Sequence, residues 1–81
     1  MYKYNYEYVI CNVFDEDIFK RQCAALERNI PALIKNDYLE DVDGSQIQSY
    51  LLNGKEVNVL NAAHYGVEIR SQVDINPYFE N

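Results

Sequence analysis

The stretch Ser49-Tyr50-Leu51-Leu52-Asn53-Gly54-Lys55-Glu56-Val57-Asn58-Val59-Leu60 decides the fold. Asn-Gly between two apolar-rich runs favours a two-residue type I′ turn, since these two residue types accept positive φ most readily. A turn at Asn53-Gly54 sets the register of a β-hairpin: Leu52 opposite Lys55, Tyr50 opposite Val57, Gln48 opposite Val59 and Ile47 opposite Leu60. One face of the hairpin then holds Tyr50, Leu52, Val57 and Val59, and the other Ile47, Leu51 and Leu60. Neither face is wholly polar, which fits a sheet covered by a helix on one side and by a partner or second subunit on the other.

Downstream, Val67, Ile69, Ser71, Val73 and Ile75 alternate with Glu68, Arg70, Gln72 and Asp74, the pattern of a half-buried strand, and Asn76-Pro77 closes it. Residues 62–66 read as the connection. Upstream, residues 36–46 read as a loop rich in Asp, with Tyr38, Leu39 and Val42 anchoring it to the core. Before it, Asp15 is the expected N-cap of a helix, with Glu16 and Asp17 in its first turn. Phe19, Cys23 and Leu26 then recur at helical spacing, joined by Ile18, Ala25 and Ile30. The residue before a proline is pushed out of the helical region, so Ile30-Pro31 ends this helix near Asn29, and a short helical turn carrying Leu33 and Ile34 is expected to open at Pro31. Residues 2–14 read as one extended segment whose second half, apolar on both faces, crosses the middle of a sheet. The expected fold is α+β in the order β-α-β-β-β: about four strands in a largely antiparallel sheet, with one main helix packed across it.

The 81 residues are expected to form a single domain. Thirteen acidic against seven basic residues give a net charge of −6, while 48% hydrophobic content is too high for a disordered acidic tail. This charge disfavours nucleic acid and anionic membrane and steers basic protein surfaces toward the molecule. With no apolar leader, and no apolar run of about 18 residues, the expected location is the cytoplasm, with Cys11 and Cys23 as free thiols.

Catalytic equipment is sparse. Placing Gly44 at the sixth position of a calcium-binding EF-hand loop puts Leu39 at its first position and Tyr50 at its twelfth, where a bidentate Glu is needed. His64 is the only imidazole, Cys11 and Cys23 form no close ligand pair, and Gly44, Gly54 and Gly66 lie too far apart for a phosphate loop. Asp41 and Asp43 could share acid and base roles only in a pocket that separates their pKa values. No catalytic residue, metal or cofactor is expected.

Binding is the better expectation. Asp37, Glu40, Asp41 and Asp43 place four carboxylates in seven positions, with Tyr38 and Tyr50 beside them as aromatic anchors. Asp15, Glu16 and Asp17 form a second acidic group that the helix start already explains. The leading expectation is a small acidic inhibitor of the immunity-protein, antitoxin or phage type. It would occlude a basic surface of a nucleic-acid-processing partner, using Asp37, Tyr38, Glu40, Asp41, Asp43 and Tyr50. The alternative is a structural or assembly module that homodimerises through an aromatic sheet face made of Tyr4, Tyr6 and Tyr8.

Overall fold

The computed structural model describes residues 4–79, so Tyr2 of the expected first strand lies outside the described residues. The elements run β1 (Tyr6–Cys11), α1 (Glu16–Asn29), β2 (Leu33–Glu40), β3 (Gln46–Leu52), β4 (Lys55–Ala62), β5 (Gly66–Ser71) and a 3-10 turn (Asn76–Tyr78). The strands form one antiparallel sheet in the order β1-β5-β4-β3-β2, and α1 packs on one face of it. The α+β expectation holds, with a fifth strand added.

The hairpin pairs in the expected register, from Leu52↔Lys55 to Ile47↔Leu60. Asn53 at φ 52 and Gly54 at φ 82 make the turn. Tyr50, Leu52, Val57 and Val59 are buried under α1 with Phe19, Leu26, Ile30, Val67, Ile69 and Ile75. The Asp15 carboxylate caps α1 by accepting from the Ile18 N–H at 3.0 Å, and the helix ends at Asn29.

Four local expectations are corrected. Residues 36–46 are not a loop: Leu33–Glu40 is an edge strand, and only a tight turn separates it from β3. Nearly every β2 side chain is exposed, so no alternation of polar and apolar residues betrays it. The same strand replaces the helical turn expected at Pro31. The first strand, expected over residues 2–14, is only Tyr6–Cys11 among the described residues, and it lies at an edge of the sheet rather than its middle. Its apolar second half is left exposed at Val9, Val13 and Phe14. The last strand stops at Ser71, whose hydroxyl donates to the Val73 carbonyl at 2.6 Å and accepts from its N–H at 3.1 Å, folding the chain into a turn.

Both edge strands are interrupted. The β1–β5 register shifts between Val9 and Cys11, and the β2–β3 register shifts between Lys35 and Tyr38. The second irregularity is held by Gln48, whose amide nitrogen donates to the carbonyls of Asn36 and Asp37 at 3.1 and 3.3 Å. Such bulges blunt an open edge against pairing with another strand.

Candidate functional site

One end of the sheet gathers the finish of β2, the start of β3, the finish of β4, the start of β5 and the finish of β1. The link from β1 delivers the N-terminus of α1 to that same end. Two acidic segments far apart in sequence therefore meet there: Asp15, Glu16 and Asp17 at the helix start, and Glu40, Asp41 and Asp43 around the β2–β3 turn.

A chain of hydrogen bonds ties the two segments together. The Asp15 N–H donates to Asn61 Oδ1 at 3.1 Å, and Asn61 Nδ2 donates to Gln46 Oε1 at 2.9 Å. Gln46 Nε2 donates to the Tyr38 hydroxyl at 2.9 Å, which donates to Glu40 Oε1 at 3.0 Å. Asn61 and Gln46 are both buried, so these bonds are made where unmade ones would cost most. Glu16 lies near enough for its charge to act on the Tyr38 hydroxyl.

The acidic turn is itself built rigidly. Asp41 N–H donates to the Ser45 carbonyl at 2.8 Å, and Gly44 N–H to the Asp41 carbonyl at 3.0 Å. Asp43 accepts from the Ser45 N–H at 2.9 Å, and the Ser45 hydroxyl accepts from the Ala63 N–H at 2.9 Å, pinning the turn to the β4–β5 connection. The Ser45 N–H and hydroxyl, with His64 nearby, hold the Asp43 carboxyl below its ordinary pKa. The result is a fixed display of carboxylates.

Of the residues expected to bind, Glu40, Asp41 and Asp43 stand exposed at this end, with Tyr38 partly exposed beside them. Asp37 is exposed in the β2 bulge, farther along the strand. Tyr50 is a correction: it is completely buried, its hydroxyl donating to Glu27 at 2.6 Å, and it offers no surface to a partner. The alternation that sets Tyr50 beside Leu52 on the helix-covered face accounts for this. The tyrosine stripe is divided. Tyr6 and Tyr8 pair with Ser71 and Ile69 on the helix side, and the Tyr8 hydroxyl donates to Asp74 at 3.0 Å. The Tyr4 hydroxyl accepts from Asn58 on the opposite face at 2.6 Å, so the three rings share no single face.

Reading the sequence segment by segment missed Asn61, Gln46 and the part played by the helix start. The available signal was the polar pair Gln46 and Gln48 at core-facing positions of a strand, since buried amides need partners.

A cleft of about 350 Å³ lies between α1 and β2, lined by Cys23, Lys20, Lys35, Tyr38, Gln46 and Gln48 among others. Burial pushes the Cys23 thiol above its ordinary pKa, the opposite of what a nucleophile needs. Glu27 accepts from Tyr50 and pairs with Lys35 at 3.6 Å. Cys11 and Cys23 are unbridged. Among the described residues no three His, Cys, Asp or Glu side chains gather to hold a metal ion, and no helix is long and apolar enough to cross a membrane. No protein-family model matches the chain, and no curated protein or solved structure matches it.

Proposed function

We propose that this is a small binding protein that occludes a basic surface of a nucleic-acid-processing partner, in the manner of an immunity protein, antitoxin or phage-type inhibitor. The observation that carries the reading is the meeting of residues 15–17 and 40–43 at one end of the sheet, bound together through Asn61 and Gln46. Carboxylates held in place lose little freedom on binding, so they present charge to a cationic cleft more effectively than a mobile tail does. In that cleft they stand where phosphates would otherwise sit. The unbridged thiols fit a cytoplasmic setting.

The test is affinity capture from host extract at about 0.15 M salt, a screening length of roughly 8 Å. Wild type is compared with Asp41→Lys/Asp43→Lys after circular dichroism confirms that the variant folds. One basic protein held by wild type, lost by the variant and displaced by added nucleic acid is the expected result. Capture indifferent to the reversal and to nucleic acid would exclude the mechanism.

A further inference from the structure

The sheet face opposite α1 is not the polar surface that a solvated antiparallel sheet presents. The register aligns Leu39, Ile47 and Leu60 in one row across β2, β3 and β4, continued through Glu68 to Val9 on β1. Ile34 and Leu51 form a second aliphatic pair on the same face. Val9, Ile34 and Leu39 are 67, 63 and 60% exposed. A groove of about 240 Å³ lined by Leu39, Ile47, Glu40 and Asp41 joins this band directly to the acidic end.

The carboxylates nearest the band are Glu40 and Asp41, which line the same groove as Leu39 and Ile47. Glu7, Glu56 and Glu68 share this face, and its one cation among the described residues, Arg70, is engaged by Glu68 at 2.7 Å and Glu7 at 3.3 Å. Lys35 and Lys55 pair with Tyr50 and Leu52 and so belong to the helix side, where Lys20, Arg21 and Arg28 of α1 also lie. A second copy of this chain would bring a second net charge of −6 against the first, which like-charge repulsion opposes. The bulged edges disfavour an added strand.

We infer that this face is the apolar half of the partner interface, and that its occupant is a basic amphipathic helix on the partner: an aliphatic stripe over Leu39, Ile47 and Leu60, flanked by Lys or Arg meeting Glu40, Asp41 and Asp43 at the acidic end. The inference rests on the acidic-end reading above and adds the contact that supplies affinity, since burying one leucine side chain is worth about tenfold or more in binding. The docked helix completes a three-layer arrangement with the sheet between two helices.

The experiment uses two synthetic peptides of equal net charge, one with a leucine stripe flanked by lysines and one with those leucines replaced by serine. Binding is followed by fluorescence anisotropy and by amide shifts of the labelled protein at about 0.15 M salt. The leucine peptide is expected to bind at least about tenfold tighter and to shift Val9, Leu39, Ile47 and Leu60. Ile34→Thr/Leu39→Ser, at exposed positions that leave the core intact, removes that gain while the serine peptide binds as before. Equal affinity for the two peptides overturns the inference, as does sedimentation showing a wild-type dimer that the same variant abolishes, which assigns the face to a second copy. If the leucine-dependent gain survives in Asp41→Lys/Asp43→Lys and the serine peptide binds that variant undiminished, the face stands and the acidic-end reading falls.

Discussion

Gly66→Ala is the substitution for which the structure gives the sharpest expectation, because Gly54→Ala supplies an internal control. Both glycines have positive φ, +96 at Gly66 and +82 at Gly54, so alanine is strained at either by about 1–2 kcal/mol. At Gly54 a new Cβ meets open space. At Gly66 it would lie 2.6 Å from Asn12 C and Val13 N, and nearer still to the Cys11 carbonyl oxygen. These are backbone atoms and cannot rotate away. The link between β1 and α1 must move outward by about an ångström, loosening the Cys11↔Val67 pair, which adds about 2–3 kcal/mol. A domain of this size has about 4–12 kcal/mol in all. In urea unfolding, Gly66→Ala should fall below Gly54→Ala by roughly 1–2 M in midpoint. The same link carries Asp15, so peptide binding at the acidic end should weaken in the surviving folded fraction. Indistinguishable midpoints for the two variants would refute the close-approach argument.

Other perturbations read different parts of the account. Asn61→Ala leaves the Asp15 N–H and Gln46 Oε1 without their partners, and chemical denaturation should show a loss of about 2–4 kcal/mol with faster hydrogen exchange at Asp15. Burial and the neighbouring Glu27 hold the Tyr50 hydroxyl far above its ordinary pKa, so the fold favours its neutral form. That contribution is intact below the unfolded pKa of about 10 and is lost as pH rises beyond it; a tyrosinate absorbance titration should show one late-ionising group appearing together with alkaline unfolding. The lowered pKa of Asp43 has the opposite sign. Its contribution is present above the unfolded value near 4 and lost as pH falls through the folded one, so carboxyl NMR should find Asp43 charged where an ordinary aspartate has begun to protonate.

The hairpin and the helix were legible because their signals are local. Asn53-Gly54 dictates its own turn, and Asp15 and Ile30-Pro31 mark the helix ends. Strand β2 was hidden because an exposed edge strand needs no apolar period, and its bulge at Asn36 and Asp37 breaks whatever period remains. The acidic turn was visible as composition. Its union with the helix start was not, because that depends on β1 and β2 occupying opposite edges while two buried amides bridge between them. The aliphatic residues of the open face were visible too. What they shared could be seen only once β2 had been placed beside β3.

The most direct test of the central claim is a capture experiment with Glu16→Lys/Asp17→Lys, a reversal remote in sequence from the acidic turn. If residues 15–17 and 40–43 form one surface, this variant, folded by circular dichroism, should lose the same basic partner that Asp41→Lys/Asp43→Lys loses. Undiminished capture by the helix-start variant, beside loss in the turn variant, would contradict it.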